Sequence, residues 1–191
     1  MTDAYHTEEI TRDGLTFRVQ HCYDHDQGEP WKEYDGHGPV TDWERREKRP
    51  GELILNDDRG AKRFYDYAEA CRIARRDGWD TPPYKQGTAR QRAARAAMAD
   101  FERLRAWCND DWHWCGVVVT LLDDDGEEVD SASLWSIDSD ADNYLDQVAV
   151  ELADELARTA ADSLRALAQQ HTTKAAQALD MAARLAAGGV Q

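Results

Sequence analysis

The side chains best suited to chemistry in this 191-residue chain are its carboxylates, histidines, cysteines and tryptophans. From Asp111 through Ala157 there are 14 acids and no Lys or Arg. Asp123, Asp124, Asp125, Glu127 and Glu128 crowd one short stretch, and Asp138, Asp140, Asp142, Asp146 and Glu151 follow. A run of one sign creates a local field that attracts a basic surface. These ten carboxylates are the expected partner-binding residues. Four of them, Asp138, Asp140, Asp142 and Asp146, fall at positions 1, 3, 5 and 9 of a calcium-loop spacing. The match breaks at Asn143, where the loop has glycine, and at Ala149, where it needs a bidentate carboxylate. An acidic first helical turn, favoured by the helix dipole, is the better account.

His21, Cys22 and His25, and separately Cys108, His113 and Cys115, are zinc ligands in kind. Structural zinc sites pair short spacings. Only Cys22-x₂-His25 and His113-x-Cys115 are close here, so core cysteines and partly exposed histidines are expected, with no metal and no cofactor. Trp112, Trp114 and Trp135 fall on predicted hairpin strands. They suit cross-strand packing, or else an aromatic surface for a base or a partner. No phosphate-binding loop, zinc-protease helix, nucleophile elbow or deaminase signature is present. No catalytic residue is expected, and the chain reads as a binding protein rather than an enzyme.

The elements that must position these groups read as follows. Leu15, Phe17 and Val19 alternate with polar residues, which predicts a strand to about Tyr23. Residues 24–50 are rich in Gly, Pro and charge and read as a long loop with a short helical turn at 42–47. Glu52–Asn56 and Lys62–Tyr65, joined by Asp57-Asp58-Arg59-Gly60, predict a hairpin. Asp66 with Glu69 predicts a capped helix that ends at Gly78. Pro82 and Pro83 then separate the two parts of the chain. A helix is predicted over 88–109, with Arg90, Arg92, Arg95, Arg103 and Arg105 mostly off its apolar face. Trp112–Leu122, a turn at Asp125-Gly126 and Val129–Ile137 predict a second hairpin. Ser139 and Asp142 offer a capping box for the helix that follows. Residues 158–187 are alanine-rich and helix-favouring, with Gly188 and Gly189 at the end.

The fold class this predicts is α+β, with two ββα-like units at 52–77 and 113–157 and a long alanine-rich C-terminal helical segment. The expected division is one α+β domain over 1–157, with sub-units 1–80 and 88–157, and a helical extension over 158–191. Sparse apolar surface in 158–187 suggests that it depends on a partner or on a second copy, a homo-oligomer through this segment.

Charge sets the class of partner. The formal net charge is −15, spread as −7 over residues 1–60, +4 over 61–110 and −12 over 111–191. That disfavours a protein that coats nucleic acid, which needs a basic surface. It equally disfavours an anionic membrane surface. The first residues lack the basic and apolar regions of a secretory signal, and the longest apolar stretch, 116–122, is too short to span a bilayer. A cytoplasmic protein with reduced thiols is expected.

Phe64-Tyr65-Asp66-Tyr67-Ala68-Glu69-Ala70 with Ile73–Trp79, and Trp112–Leu122 with Asp125-Gly126-Glu127 and Ser133-Leu134-Trp135, carry a resemblance. Together these stretches resemble small acidic accessory proteins of bacteriophages and prophages of GC-rich proteobacteria. The resemblance covers about 64–155. It implies action in the bacterial host cytoplasm and brings no assigned catalytic residues. The expected function is a non-catalytic accessory protein that binds a basic host protein through its acidic surface. Nucleic-acid mimicry of the anti-restriction or anti-CRISPR kind is the form this would take. The alternatives are a metal-dependent enzyme using His21, His25 and His113, or a nucleic-acid binder using the Arg-rich helix 88–109.

Overall fold

A computed structural model describes residues 3–79 and 86–188. Its elements in order are β1 (Ala4–Arg12), β2 (Leu15–Tyr23), α1 (Pro30–Glu33), β3 (Val40–Glu44), β4 (Glu52–Asp58), β5 (Ala61–Asp66), α2 (Tyr67–Asp77), α3 (Ala89–Cys108), β6 (Trp114–Leu122), β7 (Glu128–Asp138) and α4 (Tyr144–Gly188). The fold is α+β, built from two small antiparallel sheets with helices. Both expected ββα sequences are present, as β4-β5-α2 and β6-β7-α4. No helix among the described residues is long and apolar enough to cross a membrane.

The chain divides into two compact units, Met1–Asp24 with Trp114–Gln191, and His25–His113. The strands pair across the expected sub-unit boundary at 80–88, because β2 forms a ladder with β6. The first unit is therefore discontinuous and the second is inserted between two of its neighbouring strands. Pro82, Pro83 and Gly189 lie outside the described residues.

The first unit is a sheet of order β1-β2-β6-β7 with α4 packed on one face. Alternation selects that face. Phe17 and Val19 of β2 and Val117, Val119 and Leu121 of β6 are fully buried against Leu145, Val148, Ala153 and Leu156 of α4. Two turns at the same end of the sheet set the register. Asp13 and Gly14 both have positive φ, 51° and 80°, as a two-residue hairpin turn requires. The Asp123 carboxylate accepts from the backbone N–H of Asp125 and Glu127, at 3.0 and 2.9 Å, and locks the other turn.

α4 begins where β7 ends and runs back along the sheet. Ser163 donates to Asp130 near the start of β7 at 2.7 Å. Forty-five helical residues span about 67 Å. The sheet ends at about Leu164, which borders the same cavity as Leu122 and Gly126. From Ala168 to Leu185 every side chain is exposed. The helix thus projects well beyond the unit that supports its first half.

The second unit is a three-stranded sheet of order β3-β5-β4 with α2 and α3. Its core holds Leu55, Tyr65, Ala70, Ala97, Phe101 and Leu104. Asp66 caps α2 by accepting from Glu69 N, and Gly78 ends it with φ 72°. Thr88 and Gln91 form a capping box on α3. Arg59 and Gly60, with φ 49° and 81°, close the β4–β5 hairpin.

Several local expectations need correction. Residues 40–44 form a strand rather than the helical turn expected at 42–47, because Val40 and Thr41 pair with Tyr65 and Phe64. The pairing then slips, and Trp43 takes φ 38° in the resulting bulge. β1 is a strand that the apolar pattern did not signal, since an edge strand buries little. Helix α4 starts at Tyr144, not at a Ser139–Asp142 box. Asp142 has φ 48°, outside helical geometry, and Asn143 O accepts the first helical bond from Gln147.

Candidate functional site

The ten expected partner-binding carboxylates do not form one patch. β6 and β7 place them. Asp123, Asp124, Asp125, Glu127 and Glu128 lie at the turn end of the hairpin, and Asp138, Asp140, Asp142 and Asp146 at its far end. Eleven residues of β7 separate the groups by about 30 Å. Glu151 sits further along α4 on its exposed side.

Their surroundings differ. Asp123 is committed to its turn. Glu128 accepts from Arg18 at 2.9 Å. Arg18 pairs with Thr120 across β2 and β6, so this ion pair reaches over β6 to β7. Asp124, Asp125, Glu127, Asp142, Asp146 and Glu151 are exposed and make no ion pair among the described residues. Asp138 and Asp140 keep contacts within the fold.

The tryptophans do not form an aromatic platform. Trp112 is 2% exposed, its Nε1 donates to Arg103 O at 3.0 Å, and the Arg103 guanidinium lies 3.8 Å from the ring centre. Trp114 is also buried. Trp135 is the exposed one, and its ring lies over Gly116, where an added Cβ would come within 2.3 Å of it. Trp112 belongs to the inserted unit, and Trp114 and Trp135 to the other.

The candidate metal ligands do not converge. Among the described residues no three His, Cys, Asp or Glu side chains gather as a metal site requires. Cys22 and Cys115 are fully buried thiols in the first unit, while Cys71 and Cys108 are partly buried in the second. His113 precedes β6 and does not share a strand face with Cys115. His21 stacks at 5.1 Å on His6 and meets Tyr5 edge-on at 6.1 Å. Burial, and then the nearby His6, lower its pKa.

Two clusters in the inserted unit escaped the sequence reading. The first centres on Asp100 of α3. Its carboxylate accepts from the Tyr65 hydroxyl at 2.6 Å and from Gly38 N at 2.8 Å, and it faces His37 Nδ1 at 2.6 Å. Burial and this carboxylate push the Tyr65 hydroxyl pKa well up. A carboxylate beside an imidazole fixes its tautomer and orientation, as general-base sites need. No hydroxyl or thiol bonds to His37 among the described residues, so the pair lacks a nucleophile and instead clips the loop before β3 to α3. The glycine-flanked Gly36-His37-Gly38 was the available signal. A Cβ at Gly38 would lie 2.5 Å from the Tyr65 ring.

The second cluster centres on Arg63 of β5, which is 8% exposed. It donates to Asp42 and Glu29, each at 3.0 Å. The Trp43 ring centre lies 4.3 Å from the guanidinium, with Trp31 at 5.1 Å and Trp107 at 5.9 Å. Paired carboxylates and aromatic faces satisfy this buried cation. Nothing in the spacing of residues 29, 31, 42, 43, 63 and 107 marks them as neighbours.

No family model matches the chain, and neither a curated protein nor a solved structure matches it.

Proposed function

We propose that the chain is a non-catalytic binding protein whose acidic first unit docks on a basic protein. One observation carries the reading. Asp124, Asp125, Glu127, Asp142, Asp146 and Glu151 are exposed and unpaired among the described residues, in a segment with no base of its own. Internal pairing therefore leaves most of that charge to act outward, where it speeds capture and suppresses wrong partners. The two groups stand about 30 Å apart, close to the ~34 Å of one duplex turn. That spacing supports a partner that ordinarily binds nucleic acid. The resemblance to phage accessory proteins supplies the setting, a bacterial cytoplasm in which the partner is a host protein whose activity is inhibited or modulated.

Self-association through 158–187 belongs to the same reading. It is supported by the projection of α4 and by Leu179, Met181 and Leu185, which are 72%, 64% and 73% exposed.

Affinity capture from bacterial lysate tests the main reading. A basic partner should be held at low salt, released at high salt and displaced by added duplex DNA. Asp124→Lys/Asp125→Lys/Glu127→Lys and Asp142→Lys/Asp146→Lys/Glu151→Lys should each lose it. Capture that survives both triple reversals sinks the proposal.

A further inference from the structure

The inserted unit, His25–His113, is nearly neutral, with 18 acids and 17 bases, but its bases concentrate in residues 61–110, which carry +4. α2 and α3 pack through Ala70, Ala74, Ala93, Ala96 and Ala97, all nearly or fully buried. Small residues at the contact leave a groove of about 460 Å³ beside it. Tyr67, Cys71, Ala93 and Ala94 line its floor and walls, with Arg72, Arg75 and Arg90 around its rim. The Tyr67 hydroxyl donates to Ala94 O at 3.1 Å, which fixes the ring along the groove.

What sets these three guanidiniums apart is the groove they share, since Arg45 and Arg105 also have no ion pair among the described residues. Arg46 and Arg63 are bound to carboxylates, and Arg92 and Arg95 donate to Gly87 O and Gln86 O at the start of α3. Arg72 has Glu69 one turn away. Arg75 and Arg90 have no ion pair among the described residues, yet they border the same cavity from two different helices. Two guanidiniums that no described carboxylate pairs, set beside a third at one groove, offer an anion several donors at once.

We propose that this groove binds a small phosphate-bearing molecule of about nucleotide size. Guanidinium forks match phosphate oxygens bidentately. The volume lies within the ~300–1,000 Å³ of small-molecule sites. The chain's net charge of −15 disfavours a long polyanion, whereas a compact anion fits between the three arginines. The Tyr67 ring offers an apolar wall for the part of the ligand that is not phosphate. The proposal is independent of the acidic surface of the first unit.

Cys71 reports on occupancy because it lines the groove and carries a free thiol. The full chain would be labelled with iodoacetamide, a neutral reagent, and the Cys71 peptide followed by mass spectrometry. Inorganic pyrophosphate and ADP are the probes, with sodium chloride matched for ionic strength. Labelling of Cys71 should slow about tenfold when the probe is at ten times its Kd, by simple mass action, and chloride should not reproduce the effect. Stronger protection by ADP than by pyrophosphate assigns the ligand as a nucleotide, and equal protection assigns it as a diphosphate group alone. Arg75→Gln/Arg90→Gln should abolish protection while leaving the circular dichroism spectrum, and capture by the acidic surface, unchanged. Arg75→Lys/Arg90→Lys should keep part of it. Labelling that neither probe slows, or that both slow equally in the Gln variant, overturns the assignment.

Discussion

The Tyr65 hydroxyl lies 2.6 Å from Asp100 Oδ2 and also 3.1 Å from the Ala97 carbonyl, so one buried phenol ties β5 to two successive turns of α3. Asp100 in turn gathers His37 and Gly38. Removing the carboxylate strands several donors, whereas removing the hydroxyl leaves Asp100 two others. Asp100→Ala is therefore expected to cost about 2–3 kcal/mol and Tyr65→Phe about 1 kcal/mol. Urea denaturation measures both, and equal losses would show that the carboxylate is not the hub.

Trp135 and Gly116 make a second prediction. Gly116→Ala drives a methyl into the indole, at a cost of about 1–3 kcal/mol. Adding Trp135→Ala should recover part of that loss, because the obstacle is gone. A double-mutant cycle reads the coupling, and strict additivity would refute the contact.

Stability should depend on pH through His21. Burial and His6 lower its folded pKa below 6.5, while Asp146 and Glu8 act in the opposite direction. In the window below 6.5 the unfolded chain then binds more protons than the folded one, so stability rises with pH and falls on acidification. His113 adds to the same slope, with burial as its chief cause. Thermal melts between about pH 7.5 and 5.5, above the carboxylate range, should show a falling Tm. His21→Gln should flatten the slope, and an unchanged slope would exclude His21 as its source.

Truncation tests the projecting helix. A chain ending at Ala168 keeps every α4 residue that buries itself on the sheet. Its Tm should match that of the full chain, while helical ellipticity falls by the share of the missing turns. Sedimentation at equal concentration should show a loss of self-association. A large drop in Tm would mean that 169–191 stabilises the fold directly.

The parts of the fold legible in the sequence were those that bury an alternating or helical face. Phe17 and Val19 marked β2, Val117 to Leu121 marked β6, and Asp66, Gly78 and Thr88 marked helix ends. β1 escaped because Glu8 and Glu9 face solvent at a sheet edge, and the turn pair Asp13-Gly14 was the overlooked signal. β3 escaped because a bulge at Trp43 interrupts its alternation. The acidic block was legible as composition but not as geometry, since only the pairing of β6 with β7 shows that its two halves are held apart. The Asp100 and Arg63 clusters draw on residues far apart in the chain, and no local pattern encodes such convergence.

The ladder between β2 and β6 has a consequence for how the chain is made. Tyr23 pairs with Cys115, and Asp24 N donates to Trp114 O at 3.0 Å, so the ends of the 89-residue insertion, His25–His113, are held side by side. On a ribosome adding ~5–20 residues per second, β1 and β2 emerge about 4–18 s before the strand they need. Through that interval the apolar side of a two-stranded ribbon, with Phe17 and Val19 on it, stands uncovered. The inserted unit has all its own strands and helices in hand by then and can finish first. Nascent chains arrested once residues up to about 110 have cleared the ribosome should therefore protect residues 30–79 and 88–108 from protease while residues 4–23 are still cut.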